Sequence, residues 1–458
     1  MKAKVLLPIV LFLLALGSAA RETPPAGGEP RQYVLPGSSS LTLASGVQLT
    51  MIPFGNIPKV TIVATVAAGN LHEGDQLWLA DLTGEMLLEG AGDRDSDELA
   101  AASANMGGEI GVGVSVTQTQ AAVDVLSEFG ANAVALLADV LRRPTLPASE
   151  FERVRSNLLK NLSIARTQPQ TIASEAFRKR LFGDHAYGVG LPDPAAFRAL
   201  TIDDVRRFVR DHYGATGAHV YVAGKFDRDA IIAAVERQFG NWQATPTTTE
   251  FVTPPNTPRP GREFIARPDA PQSTLYLGLP VVDPSHPDYI ALSLTNTLLG
   301  GSFGSRITSN IREDKGYTYS PRSSLSVNRQ SGYWVQTADV TTNVTGPAIS
   351  EIANEIERLQ ATPPPAEELQ RMKNYRTGTF VLGNATRGGL ISQLQFLQTH
   401  GLGPEYLAGF VQRLNAVTPA QVQEMARKYL GVDKMTLVVV GDPDIVPGQL
   451  DALERISR

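Results

Sequence analysis

In the stretch LADLTGEMLLEG, residues 79–90, two carboxylates, Asp81 and Glu85, stand four positions apart with Gly84 between them. In a helix that spacing puts both acids on one face. Such a pair can hold a hard cation, serve an interface or wet the outside of a helix, and the residues alone leave these readings open. Other chemistry is excluded. Gly84 has no side chain to act as a base, and the chain contains no cysteine, so no thiolate is available. The six histidines, at 72, 185, 212, 219, 286 and 400, include no pair three or four residues apart, so no helix presents two imidazoles to a metal. No Ser/His/Asp or Cys/His set can be argued, and GGSFGSR lacks the Gly-Lys-Ser/Thr ending of a phosphate loop.

The helix that carries the acids has an apolar side, Leu79, Leu82, Met86 and Leu87, which predicts packing on a sheet. Gly84 costs that helix about 1 kcal/mol relative to alanine. With 458 residues, 42% of them hydrophobic, the chain is long enough for two or more cored domains. A formal charge of −5 with no long run of either sign gives no reason to expect a nucleic-acid partner. At the N-terminus, Lys2 and Lys4 precede the apolar run VLLPIVLFLLAL and the small residues GSAA, the pattern of an export signal over residues 1–20. The run is too short to span a bilayer, so an exported, periplasmic protein without a transmembrane segment after cleavage is expected.

Residues 21–38 read as a Pro/Gly-rich tether, and 244–261, ATPTTTEFVTPPNTPRPG, as an exposed linker. Residues 39–243 and 262–458 are then two domains, and they repeat one another. TIDDVRRFVRDHYGATGAHVYVAGKFD from Thr201 aligns without a gap on TPAQVQEMARKYLGVDKMTLVVVGDPD from Thr418. Each is an N-capped amphipathic helix, Val205/Phe208 or Val422/Met425 facing inward, followed by a β-rich run that ends in Gly224 or Gly441. PASEFERVRSNL from Pro147 pairs with PAEELQRMKNYR from Pro365, and LADLTGEMLLEG more loosely with IALSLTNTLLGG from Ile290. The expected fold is α+β: two homologous α/β-sandwich halves joined by a linker.

The order of these pieces resembles the pitrilysin/insulinase family of zinc metallopeptidases, in particular the two-domain branch that includes mitochondrial processing peptidase. The resemblance covers nearly all of residues 40–445 and is carried by AGNLHEGDQLWLADLTGEMLLEGAG, PASEFERVRSNLLKNL, LFGDHAYGVGLP, FVRDHYGATGAHVYVAG and LLGGSFGSRITSNIREDKGYTYS. Active members carry an inverted zinc motif, H-x-x-E-H, completed by a glutamate further along the chain. The resemblance places the first histidine position at Asp81, the base at Gly84, the second histidine at Glu85 and the distal ligand at Asn161, and all four depart from the pattern. It also implies a structural role for His185.

Family members bind substrate through an arginine and a tyrosine seven residues apart, and these positions fall on Arg312 and Tyr319. A guanidinium and a phenol can hold a peptide carbonyl and stabilise an oxyanion. Without the family context, Arg312 reads as a surface ion pair with Glu313 or Asp314, and Tyr319 as a strand residue packed on a sheet. Gly300, Gly301 and Gly304 are expected to form a flexible turn near the cleft, with Gly300 and Gly301 counted among the substrate-binding residues, or else a plain connector.

The resemblance thus implies a non-catalytic, substrate-binding subunit that binds no cofactor itself and lends Arg312 and Tyr319 to the zinc site of a partner, a paralogue with H-x-x-E-H. The peptide would lie between the two chains. The alternative is a non-enzymatic peptide-binding or scaffold protein of the same fold.

Overall fold

The structure, a computed structural model, describes residues 34–245 and 250–456. The export signal, most of the tether and residues 246–249 of the linker lie outside the described residues. Among the described residues no helix is long and apolar enough to cross a membrane.

The first half holds strands β1 (Ser39–Thr42), β2 (Gln48–Pro53), β3 (Lys59–Val66), β4 (Ile110–Val114), β5 (Thr119–Leu126) and β6 (His219–Gly224), in the order β1-β2-β6-β3-β5-β4. Its principal helices are α1 (Leu79–Met86), α2 (Gly130–Arg142), α3 (Ala148–Ala165), α4 (Pro169–Phe182) and α5 (Ile202–His212). The second half holds β7 (Gly261–Ala266), β8 (Gln272–Val281), β9 (Arg322–Asn328), β10 (Ser331–Thr341) and β11 (Thr436–Gly441), in the order β7-β11-β8-β10-β9. Its principal helices are α6 (Tyr289–Leu299), α7 (Thr345–Ala361), α8 (Ala366–Gly383), α9 (Arg387–His400) and α10 (Pro419–Tyr429). Strands β2 to β6 and β7 to β11 therefore follow one topology. In both, the late strand inserts beside the first in parallel, Gln48 opposite His219 and Gly261 opposite Thr436.

Local rules explain the repeated elements. Thr201 caps α5 and Thr418 caps α10, each in a reciprocal capping box with the residue three positions on, Asp204 or Gln421. Val205, Phe208, Val422 and Met425 are buried, as the helical spacing predicts.

Strands β6 and β11 are buried along their whole length, HVYVAG and TLVVVG, because both faces of each sheet are covered. One face of β11, Leu437 and Val439, packs into the core of its own half. The other, Val438 and Val440, meets Ala173, Phe177 and Leu181 of α4 from the first half. The exchange is mutual, since Tyr221 and Ala223 of β6 meet Leu390 and Ile391 of α9 from the second half.

Gly278 in β8 leaves room for the crossing helix. A Cβ there would lie 3.0 Å from Phe177 Cζ and would collide with the Trp334 carbonyl oxygen. Where α9 begins, Arg387 bonds Asp124 of β5 at 2.9 and 3.1 Å, and Lys59 reaches the same carboxylate at 2.6 Å. Separating the halves would uncover the outer face of each sheet.

Candidate functional site

Helix α1 starts irregularly. Trp78 precedes it in the left-handed region at φ 65°, a conformation that costs a bulky residue of order 1 kcal/mol or more. Glu73 replaces the missing cap: its carboxylate accepts from Trp78 N at 3.1 Å and Ala80 N at 3.0 Å. Burial pushes the Glu73 carboxyl up to about 7, against the opposing pull of those two backbone bonds. The side that faces the sheet, Leu79, Leu82, Met86 and Leu87, is buried as expected.

The two acids that share this helix do not share an environment. Asp81 is partly buried and accepts from Asn70 Nδ2 at 2.7 Å; desolvation raises its pKa, which this bond partly offsets. Glu85 is exposed. A solvated face therefore describes Glu85 and not Asp81.

Gly84 is where helix and sheet come closest. A Cβ at this position would lie 2.6 Å from Val114 Cγ2, and Val112 Cγ1 is 3.6 Å away. Strand β4 occupies the space that a side chain at position 84 would need. Asn161, on α3, is exposed, and among the described residues no hydrogen bond joins it to Asp81 or Glu85. These residues do not fit a zinc ion: they supply no imidazole, their one partly buried carboxylate is engaged by an amide, and valine methyls crowd the base position. Among the described residues no three His, Cys, Asp or Glu side chains converge as a metal site.

The second half brings its expected residues together. Residues 306–314 form one short helical segment whose last six, Ser309–Asp314, make a π-helical turn, a form that recurs at functional sites. Three anchors hold its inner side. Ile307 and Ile311 are fully buried; Arg306 forks onto Glu368 of α8 at 2.8 and 2.7 Å; Asn310 Nδ2 donates to Glu351 and Glu355 of α7 at 2.9 and 2.7 Å. Arg312 then projects outward.

Its guanidinium carbon lies 4.5 Å from the ring centre of Phe303 and 4.6 Å from that of Tyr319, a cation in contact with two aromatic rings. Its Nε pairs with Glu313 at 3.0 Å, so the ion pair and the aromatic stack coexist. Tyr319 is 79% exposed and not packed on a sheet, and Phe303 is 64% exposed. Thr318 fixes the chain beside Tyr319 through a bond from its Oγ1 to the Asp339 carbonyl at 2.7 Å.

The glycine turn is tightly packed, contrary to the flexible turn expected. A Cβ on Gly300 would lie 2.5 Å from Ser323 Oγ, and one on Gly301 2.6 Å from Asn296 Nδ2. Ser323 N donates to Gly300 O at 2.9 Å, and Asn296 Oδ1 accepts from Ser323 Oγ and Trp334 Nε1, both at 2.8 Å. These glycines close the end of α6 onto β9 and β10 and fix the base of the loop from which Phe303 extends. Only Gly304 has open space around it.

Phe303 went unnoticed in the sequence because a lone phenylalanine reads as core. Its one local signal is its place between glycines, in GGSFGS. His185 is structural, as the resemblance implied: Nδ1 accepts from Tyr187 N at 3.1 Å, and Nε2 lies 3.0 Å from the Val252 carbonyl.

Comparison with known proteins identifies the family and the fold. Residues 55–195 match the family model described as insulinase (peptidase family M16), and residues 199–375 match that described as the peptidase M16 inactive domain. The chain belongs to the M16, or insulinase, peptidase family. An uncharacterized zinc protease of Bacillus subtilis is 23% identical over 86% of this chain and 95% of its own length. Another, from Streptomyces coelicolor, is 25% identical over 78% and 79%. Among solved structures, a peptidase M16 inactive domain from Pseudomonas fluorescens superposes with a TM-score of 0.81 at 25% identity, covering 88% of this chain and 98% of that one. A protease from Helicobacter pylori reaches 0.83 at 17% identity over 89% and 100%, a likeness of fold.

Proposed function

We propose that this chain is a non-catalytic, peptide-binding subunit of an M16 peptidase pair, whose second member carries the zinc motif absent here. The observation that carries this reading is the contrast between the halves. Position 84 has no base and no room for one, whereas Arg312 is anchored, stacked and turned outward. The Arg312 Nη groups can hold a peptide carbonyl, and the Tyr319 phenol can donate to the oxyanion that develops as water attacks it. Tyr319 is exposed and Arg312 partly so, on a surface that a second chain would have to face to make a cleft.

Zinc chemistry belongs to the partner in this reading, and the peptide lies between the chains. Residues 1–20, read as an export signal, would place the encounter in the periplasm. Residues 39–243 and 262–458 are the two domains of the subunit.

The test is purification of the tagged chain from its host under gentle conditions, with zinc analysis of the eluate. A family member bearing H-x-x-E-H at about one to one, with one zinc per pair, is the expected result. A chain that elutes alone and is hydrolytically active through its own metal contradicts the proposal.

A further inference from the structure

We propose that Phe303 sets the peptide preference of this surface, selecting an aromatic or large aliphatic side chain next to the carbonyl that Arg312 holds. The inference rests on Arg312 and Tyr319 being a peptide clamp and adds the class of peptide. A guanidinium has two faces and an edge. Here two rings lie against it, with their centres 4.5 Å (Phe303) and 4.6 Å (Tyr319) from the guanidinium carbon, and Nε pairs with Glu313 at 3.0 Å. Among the described residues no hydrogen bond engages the Nη groups, a planar pair of donors suited to an oxygen acceptor. Glu313, with Asp314 next in the chain, disfavours a carboxylate at that edge and favours a neutral backbone carbonyl.

Both rings contact the guanidinium and both remain largely exposed. Tyr319 has a hydroxyl to offer a ligand; Phe303, 64% exposed, has only apolar surface. That surface is held in advance. Gly300 and Gly301 are packed too closely to accept side chains, and Ser302 Oγ donates to the Thr297 carbonyl at 3.1 Å, fixing the residue before Phe303. A preorganised apolar face beside a directional donor matches a peptide in which an apolar side chain neighbours the held carbonyl. A polar or charged neighbour would be desolvated against the ring with no partner.

The test is fluorescence anisotropy of the full chain with uncleaved, labelled peptides that differ at one position, Phe, Leu, Ser or Glu. The wild type is expected to bind the Phe and Leu peptides about tenfold more tightly than the Ser and Glu peptides. Phe303→Ser should flatten that ranking, and Phe303→Leu should keep it, with thermal melts confirming the fold of both. A ranking unchanged in Phe303→Ser, or a uniform loss across all four peptides, overturns the inference, because the ring would then only brace Arg312. Arg312→Ala separates the two levels. If it leaves every affinity unchanged, or if the wild type binds none of the peptides, the clamp itself is wrong.

Discussion

By the repeat's alignment, Gly84 of α1 corresponds to Thr295 of α6, and Glu85 to Asn296. Thr295 is fully buried and bonds the Ala291 carbonyl at 2.8 Å, so the second half accommodates a side chain where the first half has no room. Asn296 turns inward and ties β9 and β10 to α6, while Glu85 faces solvent. One framework, used twice, therefore differs at matched positions: α1 carries a glycine pressed against the sheet and a solvent-facing acid, whereas α6 carries two inward-turned side chains. The lesson is that the halves differ in packing as well as in residue type: β4 lies against Gly84 in the first half, and the second half has room for a threonine at the matching position.

The contrast can be broken most severely at Arg312. Arg312→Ala should weaken peptide binding by roughly a hundredfold, as expected for a central arginine anchor, while the melting temperature stays nearly constant. Titration calorimetry on the variant checks the affinity, and scanning calorimetry checks the fold.

The first half should also be the more acid-sensitive one. His219, which opens β6, is buried against Tyr221 with its ring centre 3.9 Å away, and burial pulls its pKa down to about 4. The corresponding position in β11 is Thr436, which does not titrate. Between pH 6.5 and 4 the unfolded chain binds the proton at His219 more readily than the folded one, so stability falls as pH falls through that window, by at most about 3 kcal/mol. Glu73, raised to about 7, contributes with the opposite sign, since a folded group that holds its proton longer favours the folded state as pH drops. The measurement is therefore a difference: urea unfolding of wild type and His219→Gln at pH 7 and pH 4.5, with a shallower acid loss expected in the variant.

A smaller effect tests the closure at Gly84. Helix propensity alone would have Gly84→Ala stabilise by about 1 kcal/mol, whereas overpacking against Val114 costs about 1–3 kcal/mol. The clash should win, giving a net loss of about 1 kcal/mol. Adding Val114→Ala should reverse the sign of the Gly84→Ala effect in a double-mutant cycle. Stabilisation by Gly84→Ala in the wild-type background would mean that β4 does not close the site.

The smallest effect is expected at Asn310. Asn310→Ala removes the fork to Glu351 and to Glu355, which is only 3% exposed, and should loosen the π-helical turn enough to lower peptide affinity several-fold. Affinity equal to wild type would leave the turn's anchoring to Ile307, Ile311 and Arg306.

The sequence reveals what is local and periodic. The capping boxes at Thr201 and Thr418, the apolar stripe of α1 and the strands ending at Gly224 and Gly441 all follow from short-range rules, and their repetition exposed the duplication. What lies outside those rules stayed hidden. Phe177 belongs to a helix of the first half and packs on the sheet of the second, and nothing near it in the chain marks that destination. The helical cost of Gly84 was legible, but its reason, a valine 30 positions away, was not. The pairing of Arg312 with Tyr319 came from a motif, whereas Phe303 emerged only once its exposure and its distance to the guanidinium were known.

The central claim is tested most directly by peptide turnover in a reconstituted pair of this chain and a zinc-bearing M16 protein from the same host, with wild-type chain and with Arg312→Ala. The account predicts that turnover needs both chains and falls at least tenfold with Arg312→Ala, while the pair remains assembled by size-exclusion chromatography. Turnover by this chain alone, or a pair indifferent to Arg312, would contradict it.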